Sequence, residues 1–164
     1  MNIVYLNGDF IPSEQAAISP MDRGFLFGDG VYEVIPSYDG NLVAFEPHIR
    51  RLQDGLSRLK IASPLTSTDW LEISKDLLRG NGAGNLGIYL HISRGAHHRR
   101  FHAYPDQINP TVFAYTFEIP AAPLADKSLA ASVSCVTSED LRWKHCDIKS
   151  SALLGNVMHF QCAY

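Results

Sequence analysis

Cysteine is scarce in this sequence, and no grouping of residues suggests a metal site. The 164 residues include three cysteines, Cys135, Cys146 and Cys162, an odd number at irregular spacing. A disulfide framework or a zinc site needs cysteines in regular, paired spacing, so neither is expected. We predict reduced thiols and no bound metal.

Excess charge and long apolar runs are also missing. Charged residues make up 19% of the chain and the formal net charge is -3, which gives no electrostatic basis for binding nucleic acid. No apolar run approaches the roughly 20 residues of a membrane span, and residues 1–5 lack the basic start of a signal peptide. These absences predict a cytoplasmic protein whose partners are small molecules and a second copy of itself.

The sequence does contain turn signals between apolar, alternating segments. Asn7-Gly8 and Asp39-Gly40 are dipeptides of the kind that close two-residue hairpins, so their flanking segments are predicted to be antiparallel neighbours. The predicted hairpins join residues 3–6 with 10–11 and residues 31–35 with 42–45. Further strands, rich in alternating β-branched or aromatic residues, are predicted at 87–94, 111–119 and 130–136.

Two amphipathic helices are predicted between these strands. Pro47 can open the first, because apolar residues then recur at spacings of three and four along one face. The second is predicted to begin near Ser67 and to stop at Gly80. The predicted buried residues are Ile49, Leu52, Leu56 and Leu59 in the first helix and Trp70, Ile73 and Leu77 in the second.

These elements predict an α+β fold in which two helices cover an antiparallel sheet, forming two layers over residues 1–120. Pro120 and Pro123, with small residues between them, indicate a linker, so residues 121–164 are predicted to be the linker and the start of a second α/β domain. An apolar, helix-like run begins at Leu153 and reaches Tyr164 without a Gly, Pro or basic stop signal. We therefore expect a fragment of a longer product or a truncated relative.

Lys149 is the first functional candidate. It lies between Ile148 and two serines at a predicted strand-to-helix junction, where partial desolvation favours the neutral amine. A neutral amine can hold an aldehyde cofactor, above all pyridoxal phosphate, as a Schiff base. A surface lysine that opens a helix is the alternative reading of the same spacing.

Three motifs extend this reading. Residues 22–34 read DRGFLFGDGVYEV, residues 47–52 read PHIRRL, and residues 146–150 read CDIKS. Together they resemble the class IV pyridoxal-phosphate enzymes, which include D-amino-acid aminotransferases, branched-chain aminotransferases and aminodeoxychorismate lyases. The resemblance runs over essentially the whole chain. The CDIKS form is most similar to the D-amino-acid aminotransferase branch, whereas residues 52–54 are equally typical of the lyases.

The resemblance implies roles for a lysine and an arginine. Lys149 matches the family's Schiff-base lysine, which also moves the proton of the substrate's α-carbon. Arg51 matches the family's phosphate-binding arginine, because that arginine directly precedes the leucine. A guanidinium binds a phosphate bidentately, which suits an anchor for the cofactor. Arg50 is the competing arginine and is expected to be a solvated helix charge.

Two tyrosines match the substrate pocket of the same branch. Tyr32 resembles the tyrosine that lines the substrate side of the cofactor ring, although a half-buried strand tyrosine would fit the same alternation. Tyr89 matches a second pocket tyrosine. It is expected to share a polar face with His91, which should hydrogen-bond within the sheet. Glu33, on the opposite strand face from Tyr32, is expected to form a salt bridge.

Arg100 and His102 lie in a basic loop after the strand at 87–94. They fit the Arg-x-His with which D-amino-acid aminotransferases bind the substrate carboxylate from the neighbouring subunit, so a homodimer is implied. Arg99 competes with Arg100, because the spacing back to Arg94 is one residue longer than expected. A metal or polyphosphate site and an exposed basic loop without a role are the alternatives, and the arginines argue against a metal by charge repulsion.

The sequence thus predicts a pyridoxal-phosphate-dependent aminotransferase that transfers the amino group of D-amino acids, of the D-alanine type, to 2-oxo acids. Within the family the alternative is aminodeoxychorismate lyase. A non-catalytic, truncated fragment that only dimerises or binds ligand is the alternative from a different class. Family members continue beyond the lysine into a second domain that supplies much of the phosphate site, so weak cofactor binding is expected of the 164-residue form.

Overall fold

Residues 2–82, 84–122, 124–140 and 142–163 are described by a computed structural model. Pro123, part of the predicted linker, and Tyr164, the predicted end of the last helix, lie outside these residues. Within the described ranges, six strands form one sheet: β1 (Ile3–Leu6), β2 (Asp9–Pro12), β3 (Gly30–Tyr38), β4 (Asn41–Leu42), β5 (Leu86–Ser93) and β6 (Thr111–Glu118). The same part of the chain contains four α-helices: α1 (Arg23–Phe27), α2 (Phe45–Leu59), α3 (Ser67–Asn81) and α4 (Leu154–Ala163). The predicted α+β fold is confirmed.

The sheet is antiparallel throughout, in the order β2-β1-β6-β5-β3-β4. The Asn7-Gly8 turn joins β1 to β2 with residues of positive φ, as the hairpin signal predicted. The second hairpin is shorter than predicted, because β4 pairs only with Ser37 and Tyr38 of β3. Ala44 then takes a left-handed conformation and α2 begins at Phe45, two residues before Pro47.

α2 and α3 cover one face of the sheet and form the core with it. The alternation of strand residues places Val31, Ile35, Ile88 and Leu90 on this face, each at most 1% exposed. Trp70 and Leu77 of α3, both fully buried, pack on the same core, as predicted from their spacing. α3 begins where a capping box forms: Thr66 accepts a hydrogen bond from the Asp69 amide, and the Asp69 carboxylate accepts one from the Thr66 amide.

One predicted strand is wrong. Residues 130–136 form no regular secondary structure, and Val133 and Val136 are 82% and 94% exposed. Their alternation contains small side chains with no layer to pack against, and a strand needs both a partner and a covered face. α1 is a short helix that the sequence reasoning missed. The division at residue 120 stays a prediction.

No helix among the described residues is long and apolar enough to cross a membrane.

The face of the sheet opposite α2 and α3 bears a row of aromatic side chains. Tyr32, Tyr89 and Tyr115 lie on three adjacent strands, with ring centroids 5.6 Å and 5.1 Å apart. The sheet therefore separates an aliphatic core on one face from a row of aromatic side chains on the other. β3 contributes side chains to both faces and borders the candidate site.

Candidate active site

The segment that contains Lys149 binds to the free edge of β3. The Tyr32 amide donates to the Lys149 carbonyl at 3.1 Å, and the Ser151 amide donates to the Gly30 carbonyl at 3.0 Å. Val31 and Ser150 form an antiparallel bridge between these two bonds. Because β4 pairs only with the far end of β3, these edge groups would otherwise be unpaired.

Side chains on both sides of the lysine strengthen this attachment. Ile148 is 9% exposed and joins the hydrophobic core beside Val31. Asp147 forms an ion pair with Arg58 of α2. Gly28 allows the chain beyond the lysine to approach closely, because a Cβ there would lie 2.9 Å from Cα of Ala152. Gly28 also ends α1 with a φ of 65°, a conformation that glycine adopts without strain.

These contacts place Lys149 in an open cleft of about 980 Å³. Its Nζ atom lies 3.9 Å from the centroid of the Tyr32 ring, and Arg51 and Phe27 line the same cleft. The structure therefore brings together three residues predicted from the sequence: the lysine, the arginine and the first tyrosine. The cleft is open to an amine-reactive ligand of moderate size.

Arg51 is oriented by a buried carboxylate. The Glu33 side chain is fully buried and accepts two hydrogen bonds from the side-on edge of the Arg51 guanidinium, from Nε and, at 2.7 Å, from Nη2. His48 Nδ1 lies 2.9 Å from the same carboxylate. The expected salt bridge of Glu33 is confirmed. Because Glu33 uses Nε and Nη2, the Nη1 end of the half-exposed Arg51 side chain is, among the described residues, available to a second anion.

The protonation of Glu33 follows from these contacts. Burial by itself would raise the pKa of the Glu33 carboxyl, but hydrogen bonds from Arg51 and His48 outweigh it and hold the pKa below its ordinary value. Glu33 is therefore an anion at neutral pH. Arg50, the competing arginine, is exposed.

Tyr89 lies one strand away from the lysine. Its ring stacks on Tyr32 and its hydroxyl lies 3.0 Å from Nδ1 of His91, which confirms the hydrogen bond expected for His91 within the sheet. Burial raises the pKa of the Tyr89 hydroxyl to about 12, so this group stays protonated. Tyr89 thus packs against the Tyr32 ring. It is not one of the described residues that line the cleft.

Arg100 and His102 lie against the short helix α1. Both lie against Phe27: the Arg100 guanidinium carbon is 5.1 Å and the His102 ring 5.2 Å from the centroid of its ring. Neither residue is among the described residues that line the cleft around Lys149. Arg100 and His102 therefore pack on a residue of the cleft wall but are not among its described lining.

Sequence reasoning missed several charged residues of this region. The PHIRRL motif contains His48, but the sequence does not predict its contact with Glu33. The sequence also does not predict the charged cluster of Arg23, Asp29 and Arg94. Charged residues inside an otherwise apolar motif were the available signal, since such residues are buried only when they are paired. Across residues 2–82, 84–122, 124–140 and 142–163, no group of His, Cys, Asp and Glu side chains is arranged to hold a metal ion.

Comparison with known proteins agrees with this geometry. Residues 30–163 match the family described as amino-transferase class IV, and the chain belongs to this family. D-alanine aminotransferase from Staphylococcus epidermidis is 37% identical over 161 residues, which cover 96% of this chain and 55% of that protein. D-alanine aminotransferase from Bacillus licheniformis is 38% identical over 155 residues, 94% of this chain and 53% of that protein. The chain spans about half the length of these relatives.

Solved structures show the same fold. The branched-chain amino acid aminotransferase from Escherichia coli superimposes with a TM-score of 0.67 at 20% identity, over 72% of this chain and 41% of that one. A second branched-chain amino acid aminotransferase, complexed with N-(5'-phosphopyridoxyl)-L-glutamate, gives a TM-score of 0.65 at 23% identity, over 72% and 41% of the two chains. Membership of the class IV family implies pyridoxal phosphate as the cofactor.

The residues of the cleft fit this cofactor. Pyridoxal phosphate presents an aldehyde, an aromatic ring and a phosphate. The cleft offers an amine at Lys149, a ring face at Tyr32 and a guanidinium at Arg51 whose Nη1 end is not used by Glu33. The aldehyde, the ring face and the phosphate of the cofactor thus each have a matching side chain in the cleft.

We predict that Glu33→Gln lowers the stability of the fold at neutral pH, because the buried amide replaces two charge-assisted hydrogen bonds to Arg51. The loss should be about 1–3 kcal/mol. Since the folded pKa of Glu33 lies below its ordinary value of 4.5, its stabilisation is present above that pH and is lost as the pH falls through the folded pKa. The gap between wild type and variant should therefore narrow in acid.

Urea unfolding of both proteins at pH 7 and at pH 4 measures this gap. Glu72→Gln is the matched control, because Glu72 makes an ion pair with Lys75 that is half-exposed on α3. The control should change stability by less than about 0.5 kcal/mol at either pH. A Glu33→Gln loss that is equal at both pH values would contradict the assignment of Glu33 as the charged partner of Arg51.

Proposed function

We propose that this chain is the lysine-bearing half of a cytoplasmic D-amino-acid aminotransferase that moves amino groups between D-amino acids of the D-alanine type and 2-oxo acids. The observation that carries the proposal is the position of Nζ of Lys149, 3.9 Å above the Tyr32 ring in a cleft that Arg51 also lines. The D-alanine aminotransferases named above support the substrate class, since they are similar over nearly the whole chain.

Each residue of the cleft has a separate task in this proposal. Pyridoxal phosphate, when bound, supplies an aldehyde that condenses with amines and a ring that withdraws electrons from the α-carbon of the substrate. Arg51, held by Glu33, would hold the phosphate through the Nη1 end that Glu33 does not use. Tyr32 would offer its ring face to the cofactor, and Nζ of Lys149 would take up the proton of the substrate's α-carbon. The backbone bonds from Tyr32 and Ser151 fix the position of the lysine.

Arg100 and His102 are proposed to bind the substrate carboxylate in the cleft of a partner subunit. This role is supported by the fact that neither residue is among the described lining of the cleft in its own chain. The working enzyme is therefore proposed to be a homodimer with a two-fold interface. Phe101 and Tyr104, which are 54% and 51% exposed in the single chain, flank the basic residues and give the loop the mixture of aromatic and charged groups found at interfaces.

Attachment of the cofactor tests the role of Lys149. After incubation of the full-length protein with pyridoxal phosphate and reduction with borohydride, peptide mapping should place the pyridoxyl group on Lys149. Lys149→Ala should abolish the label and the yellow colour, because the amine that reacts with the aldehyde is removed. Lys144→Ala is the matched control, since Lys144 is exposed and lies in the same segment. A label that persists in Lys149→Ala and disappears in Lys144→Ala would refute the assignment.

Substrate recognition tests the role of Arg100. Arg100→Ala in the full-length enzyme should raise the KM for D-alanine by about tenfold to a hundredfold, the cost of a lost charge-assisted hydrogen bond of about 1.5–3 kcal/mol. Arg99→Ala is the control and should change KM little. Preference of the wild-type enzyme for L-branched-chain amino acids would reject the D-amino-acid specificity. Release of pyruvate from aminodeoxychorismate without amino transfer would favour the lyase.

Subunit mixing tests whether the site is shared. A heterodimer of Lys149→Ala and Arg100→Ala chains contains one cleft with the lysine of one chain and the loop of the other, both intact. Lys149→Ala should be inactive, and Arg100→Ala should be poorly active at D-alanine concentrations below its raised KM. Mixing the two proteins at such a concentration should therefore restore a substantial fraction of activity, measured against each variant alone. If mass spectrometry shows subunit exchange and activity does not return, Arg100 does not act in the partner's cleft.

A further inference from the structure

The loop between β5 and β6 has no regular secondary structure where it contains the proposed carboxylate ligands. Residues 98–104 are exposed, and residues 101–105 form neither helix nor strand. A loop of this kind is mobile unless its backbone groups are bound by neighbouring elements. Arg100 and His102 can present fixed donors to a carboxylate only if something restrains the backbone between them.

The partly buried carboxylate of Asp29 binds the arginine that reaches this loop. Asp29 accepts hydrogen bonds from Nε of Arg23 at 2.7 Å and from Nε and Nη2 of Arg94 at 2.8 Å and 3.0 Å. Both arginine side chains are 4% exposed and Asp29 is 11% exposed. Burial would raise the pKa of Asp29, but the hydrogen bonds from Arg94 and Arg23 hold it below its ordinary value, so the carboxylate is charged.

The two arginines reach from Asp29 in different directions. Arg23 donates from Nη1 to the Phe101 carbonyl at 2.6 Å and from Nη2 to the His102 carbonyl at 3.1 Å. Arg94 instead donates to the last carbonyls of α2, those of Leu59 and Lys60, at 2.8 Å and 3.2 Å. Arg23 therefore binds the loop backbone, whereas Arg94 binds the end of α2 and contacts the loop only through a side chain, its guanidinium carbon lying 3.6 Å from the centroid of the Tyr104 ring.

The side chains of the loop rest on the same short helix as Arg23. The Phe27 ring contacts the Arg23 guanidinium at 5.0 Å, in addition to Arg100 and His102. Phe27 also lines the cleft around Lys149. α1 thus contacts the loop at both of its ends. The Arg23 side chain binds the loop backbone, and the Phe27 ring packs against loop side chains.

We propose that Arg23 is a positioning residue for the substrate carboxylate: held by Asp29, it binds the carbonyls of Phe101 and His102 and so fixes the backbone on which Arg100 and His102 are mounted. The inference rests on the proposed function, since the substrate that the loop would meet belongs to that proposal. Arg23 itself touches neither substrate nor cofactor. Its fork is needed because one side chain must span from a carboxylate to two carbonyl oxygens.

Arg23→Lys in the full-length protein separates this role from general support of the fold. Lysine keeps the positive charge beside Asp29 but cannot donate to the carboxylate and to two carbonyls at once. We expect amide hydrogen exchange in residues 99–105 to become about tenfold faster, while exchange in β5 and β6 is unchanged. KM for D-alanine should rise about tenfold, kcat should change less than about threefold, and cofactor absorbance should remain.

Two further variants complete the design. Arg23→Met leaves Asp29 with its bidentate bond to Arg94, so no buried charge is stranded, and it should reproduce the loop exchange and KM effects of Arg23→Lys if the latter folds poorly. Arg79→Lys is the matched control for the substitution, because Arg79 pairs with Asp76 on the exposed face of α3 and is remote from the loop. It should leave exchange and both kinetic constants unchanged.

The outcomes distinguish the inference from the proposed function. Unchanged loop exchange in both Arg23 variants overturns the inference, and so does faster loop exchange with an unaltered KM. Faster exchange throughout β5 and β6 as well would show general structural support and also overturns it. A wild-type enzyme that transfers no amino group refutes the proposed function instead, and the exchange comparison, which needs no turnover, still reports whether Arg23 restrains the loop.

Discussion

The unpaired edge at the start of β3 is the constraint on which the site depends. β4 pairs with β3 only at Ser37 and Tyr38, so the groups of Gly30 and Tyr32 that face that edge have no strand partner and bind the lysine segment instead. A backbone edge of this kind must be paired or covered. In this chain the segment that covers it contains Lys149. The lysine is therefore positioned by main-chain bonds, and a substitution of its own side chain should leave the segment in place.

Alternation along β3 then assigns the two sides of the site. Tyr32 points to the open aromatic face, where its ring lies beneath Nζ of Lys149, and Glu33 points to the helical face, where it binds Arg51 of α2. One dipeptide thus determines the position of both the aromatic surface and the basic anchor. A shift of one residue in the register of β3 against β5 would exchange these roles and put a carboxylate on the open face.

Sequence patterns predicted the structural elements that depend on local interactions. They did not predict the features that depend on packing between distant segments. The Asn7-Gly8 hairpin, the buried stripe of α2 and the capped start of α3 follow from turn chemistry and periodicity, and all three are present. Residues 130–136 alternate as a strand does, yet nothing pairs with them. For the site, the resemblance identified Lys149, Arg51 and Tyr32, which do meet. The Asp29 cluster could not be foreseen, because Arg94 is 65 residues away along the chain and reaches Asp29 only through the pairing of Gly30 with Ser93.

Glu33 and Asp29 each hold an arginine in a fixed direction. Asp29 has two arginine partners, so the cluster has a net charge of +1. Arg23, the arginine that binds the loop backbone, donates its two Nη groups to uncharged carbonyls. Glu33 neutralises Arg51 in total charge but occupies only one edge of the guanidinium. In both clusters the carboxylate fixes the direction of a cation without consuming all of its donors. Replacing Glu33 by a neutral residue would strengthen the positive potential at Arg51 and yet weaken binding of an anion, because a guanidinium that is free to rotate loses the orientation that bidentate recognition requires. Replacing Asp29 would instead remove the carboxylate that directs Arg23 towards the loop carbonyls.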